Sequence, residues 1–488
     1  MDDKAQPIPP PPDQPIYEPP DADRPASAAP TEQQLAFETP TLAALDYSPP
    51  PPEHDPYAAL RLPIYRLYAV SFMLAIIGGQ VQTVAVAWQI YQKTQSALSL
   101  GFIGGIQVIP LFLLALPAGH LSDTISRKRI LLVTQWLLAF WGVALAWLTH
   151  YHSGWPMIVP AMYGLILLNA VTLTFARPAR SALLPSLVPS AAFSNAVTWN
   201  SSMFEVASMV GPAIGGAIVA AGGASSAYLL NAILLVGCAL MTARLPDTPA
   251  QRREGEAPGF KSLLAGVSFV FSRRLMLATM TLDLFAVLLG GAVYLLPVFA
   301  KDILHVGAGG FGWLRAAPSI GAFSMAIIIA HRPPMRRAGR ALLLAVIGFG
   351  LATLVFGLTK NFLLSFSMLV LIGAFDNISV VVRHTLVQLL TPDAMRGRVS
   401  AVNQIFIGSS NELGGLESGV TAAWWGPVGS VVFGAIGTLV TVITVGWFSP
   451  ELRKFGRLDQ ASVDASSEAG SHGDIETQRR SRQATPHA

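Results

Sequence analysis

Among the charges that stand within otherwise apolar stretches of this sequence are five carboxylates and one guanidinium: Glu205, Asp283, Asp376, Glu412, Glu417 and Arg315. Charge in hydrocarbon is costly, so each is a candidate to bind a proton, pair with an opposite charge or line a polar path. A carboxylate that loses water can titrate near neutral pH, which proton coupling requires. A hydrogen bond to a neighbouring helix would explain a lone carboxylate as well. Asp283 and Glu205 are the first candidates for coupling. Counted at about 1.5 Å per residue, Asp283 and Arg315 fall near the same depth, and an ion pair between them is expected, functional or static. Glu205 and Glu412 lie near mid-depth, Glu417 further out, and Asp376 shares a helical face with Arg383. Gln80, Gln82 and Gln107 line a cavity or join helices by hydrogen bonds.

A second cluster is the charged run Gly119-His120-Leu121-Ser122-Asp123-Thr124-Ile125-Ser126-Arg127-Lys128-Arg129. It separates stretches free of Asp, Glu, Lys and Arg, each long enough to cross about 30 Å of hydrocarbon. Arg127 to Arg129 mark a cytoplasmic loop that meets anionic headgroups, and Asp123 is placed to pair with basic groups at an inner gate. Arg396 and Arg398 are its expected partners. Simple topology marking accounts for the same charges.

These residues need membrane-spanning helices to position them. The chain has 488 residues, 52% hydrophobic and 12% charged, with mean hydropathy +0.50, too apolar for a soluble domain of this size. Twelve spans are predicted: 65–91, 97–118, 129–149, 155–176, 191–221, 224–244, 275–300, 307–330, 340–359, 362–390, 398–424 and 427–449. An even number puts both termini on one side. Lys and Arg collect on that side, Arg252, Arg253, Arg336 and Arg337 among them; only Lys93, Lys301 and Lys360 fall on the other, so the termini are expected in the cytoplasm.

The organisation read from this is a proline-rich disordered tail at 1–58, six helices over 62–244, a linker at 245–274, six helices over 275–449 and a polar tail at 450–488. The linker carries Phe260, Leu263, Leu264, Val267 and Phe271 at helical spacing, an amphipathic helix for the inner leaflet or a frayed linker. Proline runs at Pro9–Pro12 and Pro49–Pro52 could dock a proline-reading partner or be mere solvated tail. Cys238, the one cysteine, reads as a packed thiol.

From Arg180 to Gly216 the first six-helix segment aligns on the second without a gap. Placing Arg180 on Arg383 brings Pro189 onto Pro392, Ala191 onto Ala394, Asn200 onto Asn403, Gly211 onto Gly414 and Gly216 onto Gly419. Such parallel repeats hold substrate near the midplane between them. Ala207, Gly211, Gly215 and Gly216 let another helix approach closely, and Pro212 favours a kink.

On these residues the chain resembles the major facilitator superfamily, over about Leu62 to Ser449. Gly119, Leu121, Asp123, Arg127, Lys128 and Arg129 match its signature G-x-L-x-D-R-x-G-R-K-R, while Thr124 and Ser126 depart from it. A second signature, G-x-x-x-G-P-x-x-G-G, is matched by Gly211, Pro212, Gly215 and Gly216, with Ala207 at the first position; this one is associated with proton-exchanging exporters. The stretches 175–180 and 391–399 resemble a branch of bacterial siderophore and drug efflux proteins. The resemblance implies an all-α membrane protein of twelve helices in two repeats, in the bacterial inner membrane, exporting a small organic molecule by proton antiport through alternating access. An importer, a lipid flippase or a non-transporting scaffold or sensor are the alternatives. No P-loop, metal cluster or catalytic triad is present in the sequence, so a transporter without cofactor is expected, not an enzyme. Net charge of only +4, held in loops, argues against nucleic acid as a partner.

Overall fold

The computed structural model describes residues 55–247, 260–332, 335, 337–392 and 395–456. The proline runs, Arg252, Arg253, Arg336, Ala394 and the tail beyond 456 lie outside the described residues. The chain divides after Pro56, and every helix among the described residues belongs to the unit beginning at Tyr57.

Among the described residues, ten helices are long and apolar enough to cross a membrane. The first set comprises α1 (Pro63–Thr94), α2 (Ala97–Thr124), α3 (Arg127–Tyr151), α4 (Ile158–Leu187) and α5 (Ser190–Ala243). After the short α6 (Phe260–Ser272) comes a second set: α7 (Arg274–Leu289), α8 (Gly307–Ala330), α9 (Ala338–Leu358), α10 (Phe362–Leu390) and α11 (Arg396–Phe448). The span that α7 opens continues through a 3-10 turn, Gly291–Leu295, and a π turn, Phe299–Ile303.

Helices α5 and α11 run 54 and 53 residues, far more than a bilayer requires. Each is broken by one glycine, Gly223 (φ 75°, ψ 175°) and Gly426 (φ 75°, ψ 167°), in a conformation open to glycine at no steric cost. The two breaks are related by the same offset as Arg180 and Arg383.

Small and polar residues hold each set together, as expected where lipid supplies no hydrophobic drive between helices. In the first set, Gly211 and Gly215 of α5 pack on Gln80 and Val81 of α1. Gln80 Nε2 donates to Ser208 Oγ at 3.4 Å, Tyr228 Oη donates to Gln89 Oε1 at 2.8 Å, and Asn231 Nδ2 donates to Gln82 Oε1. In the second, Gly321 and Gly373 bring α8 and α10 into backbone contact.

Four expectations change. Asp283 pairs not with Arg315 but with Arg383 of α10, the side chains 9% and 3% exposed. Depth along a helix can be counted from sequence, but the direction in which a side chain leaves it cannot. The basic run does not simply meet headgroups: Arg127 Nη1 donates to the Ala182 carbonyl near the end of α4 at 2.9 Å, and Lys128 Nζ to the Leu245 carbonyl beyond α5 at 2.6 Å. Cations belong at such C-terminal carbonyls. Helix α6 forms, yet Gly266 and Val270 pack against the start of α11 while Leu264 and Phe271 face outward. Finally, Pro450–Lys454 is a helical turn, α12, whose Leu452 is fully buried beneath α9.

Replacing Asp283 by Asn leaves a buried guanidinium without its counter-charge and is expected to cost about 3–5 kcal/mol. Thermal unfolding in detergent checks this, and the D283L/R383L double variant should recover most of the loss. An undiminished midpoint in Asp283→Asn would show that the pair is not structural.

Candidate functional site: a polar cavity closed at one end

Between the two sets lies a cavity of about 650 Å³, the size of a small-molecule site. Helices α1, α2, α4 and α5 supply one wall; the other comes from α8, α11 and the turns beyond α7. Its polar lining includes Gln80, Gln82, Thr83, Gln107, Asn169, Asn231, Tyr294 and Gln404, set among Phe72, Ile103, Ile166 and Phe311. The charged lining residues are Arg177, Arg180, Arg315 and Glu412.

At the end that carries Gly223 and Gly426 the sets meet backbone to backbone. A Cβ at Gly216 of α5 would sit 2.6 Å from Cα of Gly312 in α8, and one at Gly419 of α11 would sit 2.6 Å from Cα of Gly101 in α2. Trp88 stacks on Phe311 with centroids 5.8 Å apart. Tyr91 Oη donates to Asp302, and Lys301 Nζ lies 5.6 Å from the Tyr91 ring centre. Leu100 and Phe311, on the cavity wall here, are 1% and 2% exposed.

At the opposite end, Phe204, Arg177 and Gln404 are exposed although they line the cavity. Asp123 is exposed too and makes no ion pair among the described residues, so the contact expected with Arg396 and Arg398 is not formed in this conformation. Helix α2 runs to Thr124 and α3 starts at Arg127, leaving a two-residue turn. Gly119 has open space around it, and Arg129 is exposed.

The candidate residues therefore separate into groups. Gln80, Gln107, Arg315 and Glu412 come together in the cavity, where Tyr294 Oη donates to Glu412 Oε2 at 3.2 Å. Arg315 and Arg177 lie close enough for their charges to act on Glu412. Glu205 of α5 and Asp376 of α10 are also close enough for their charges to act on each other. Asp283 stands apart in its ion pair. Ala207, Gly211, Pro212 and Gly215 are buried; Gly211 and Gly215 hold α5 to α1 of its own set, whereas Gly216 and the Pro212 carbonyl meet Gly312 at the crossing to α8. Glu417 accepts from Ser418 at 3.3 Å.

Reading the sequence missed Arg177 and Arg180 as cavity groups, because both sit where topology markers are expected. Their spacing held the signal: three residues apart in a helix, flanked by apolar residues, they share a face. Tyr294, Tyr91 and Asp302 gave no signal, being ordinary interfacial residues until the chain folds.

Residues 54–480 match the profile of the family described as transmembrane secretion effector. The chain is 27% identical over 398 residues to the enterobactin exporter EntS of Citrobacter koseri, covering 80% of this chain and 93% of that one. Among solved structures it resembles a POT family transporter in complex with a thioalcohol conjugated peptide (TM-score 0.64, 11% identity, 80% of this chain and 96% of that one). It also resembles a bacterial homologue of the lysosomal transporter Spinster in an inward-facing, occupied conformation (TM-score 0.62, 13% identity, 82% and 99%).

If the glycine crossings seal the cavity, a cysteine replacing Val86 in a Cys238→Ser background is protected from an impermeant maleimide applied on the Gly223 and Gly426 side. Gly216→Val, which forces α5 from α8, is then expected to raise the labelling rate several-fold. Equal rates in the two proteins would place the seal elsewhere.

Proposed function

Because the chain belongs to the transmembrane secretion effector family of major facilitator transporters, it is a multi-pass membrane transporter and not an enzyme, and we propose that it exports a small organic molecule across the bacterial inner membrane by alternating access. The observation that carries this reading is the one-ended cavity, closed by Gly216–Gly312 and Gly101–Gly419 and reachable from the Asp123 end. Its size and mixed lining suit a siderophore-like or drug-like cargo, and similarity to the enterobactin exporter supports the outward direction and the inner-membrane location.

In this reading α5 and α11 each count as two spans divided at Gly223 and Gly426, which gives twelve helices in two six-helix repeats, 62–244 and 275–449. The matching glycine breaks support the repeat. Both termini lie in the cytoplasm, where the Asp123 end faces, so the structure represents the carrier loading from inside. Closing that end brings Asp123 toward Arg396 and Arg398, while Gly119, Arg127, Lys128 and Arg129 keep α2 and α3 in register; opening the other end separates the glycine crossings and breaks Tyr91 from Asp302. Gly211, Pro212, Gly215 and Ala207 let the first part of α5 rock as a unit with α1. The proline-rich tail, with any partner it recruits, stays outside this cycle.

Proton exchange drives the cycle, with Glu205 and Asp376 as its carboxylates. Two carboxylates within range of each other repel when both are ionised, and rocking α5 against α10 changes their separation. Asp283, tied to Arg383, holds α7 to α10 instead.

Everted vesicles with an imposed pH gradient test the proposal. Cargo from a siderophore and antibiotic panel is expected to accumulate in them, and to stop accumulating when the gradient is collapsed. Asp123→Asn should depress uptake strongly without reducing the amount of protein inserted. Failure of every compound to accumulate would exclude export, and accumulation indifferent to the gradient would exclude proton exchange.

A further inference from the structure

The charged lining of the cavity is unbalanced. Arg177, Arg180 and Arg315 face it against Glu412 alone. Cations lining a cavity within the membrane are costly unless water or an opposite charge joins them. Glu412 is held by Tyr294 at 3.2 Å, and Arg180 lies 5.5 Å over the Phe72 ring. Arg177 opens onto the cavity, three residues from Arg180 along α4.

The residues of this cluster come from α4, α8, α11 and the turn beyond α7, so they span both walls. A ligand that bridges Arg177 and Arg315 would draw the two helix sets together, as a cargo must if its binding is to favour closure of the loading end. Guanidinium forks match carboxylates, sulfonates and phenolates through paired hydrogen bonds, and a cationic ligand placed here would be repelled. Gln80, Gln107 and Asn169 offer neutral hydrogen bonds nearby, and Phe72, Ile166 and Phe311 offer apolar and aromatic contact.

We propose that the cargo is an organic anion, that Arg177 and Arg315 bind its acidic groups across the cavity, and that Glu412, the one carboxylate lining the cavity, competes with the cargo for these cations. This rests on the export reading for the word cargo, but the anion site itself is defined by the cavity and can be tested by binding alone. It divides the two cargo classes left open above: acidic siderophore-like compounds fit, and lipophilic cations do not.

Carboxyfluorescein and rhodamine 6G share a xanthene frame and carry opposite charge, which makes them matched probes. Fluorescence anisotropy on the full chain in phosphatidylcholine nanodiscs, corrected with empty discs, gives their affinities. Carboxyfluorescein is expected to bind at least about tenfold more tightly than rhodamine 6G, and R177Q and R315Q each to weaken it by about tenfold, one charge-assisted hydrogen bond's worth. Glu412→Gln should tighten it, since the competing carboxylate is gone, and Arg315→Lys should retain part of what R315Q loses. Arg177 is exposed, so R177Q keeps the test decisive should R315Q not fold. Rhodamine 6G binding as tightly as carboxyfluorescein, or anion affinity unchanged in R177Q, would overturn the proposal. Uptake of carboxyfluorescein into everted vesicles, measured in parallel, separates the two readings: selective binding without uptake supports the anion site and counts against export.

Discussion

Contact between four glycines decides the shape of this protein. Where α5 crosses α8 and α2 crosses α11, the backbones approach so closely that a single Cβ would collide with the opposite chain. In a membrane, helices gain little from burying apolar surface against one another, and backbone proximity with its dispersion contacts takes over. Both crossings lie at one end of the molecule. They hold the two helix sets together there and leave the space between them, and the polar groups facing it, open to the other end.

Charge is distributed to serve that arrangement. Arg127 and Lys128 neutralise the carbonyl ends of neighbouring helices within one set. Asp283 and Arg383 do the same between α7 and α10 in the other. Each set thus has charged contacts of its own that hold its helices together. The charges left without a full partner, Arg177 and Arg315 with Glu412 between them, face the space where the sets separate. Polar groups that cost energy in an empty carrier are tolerable there, because water and then a ligand can reach them.

Much of this was legible in sequence. The spans follow from uninterrupted apolar length, and the family from the signatures around Asp123 and Gly211. Helix joints were less accessible: Gly223 and Gly426 let two pairs of predicted spans run on as single helices with a kink, a matter of one φ angle each. The site was legible by residue type and not by partner. Arg315 and Glu412 stood out as charges in hydrocarbon, but the sequence expectation joined Arg315 to Asp283, whereas the fold gives Asp283 to Arg383.

Sequence by itself determined that the chain crosses a membrane many times, which residues carry charge within the apolar stretches and which small residues permit close approach. Those are properties of transfer from water to hydrocarbon and of side-chain size, and both are local. Tertiary structure alone decided which charges meet, that Arg177 and Arg180 line a cavity instead of marking a boundary, and which end of the molecule is shut. These depend on the rotation of each helix about its axis and on packing between helices far apart in the chain, and no local pattern specifies either.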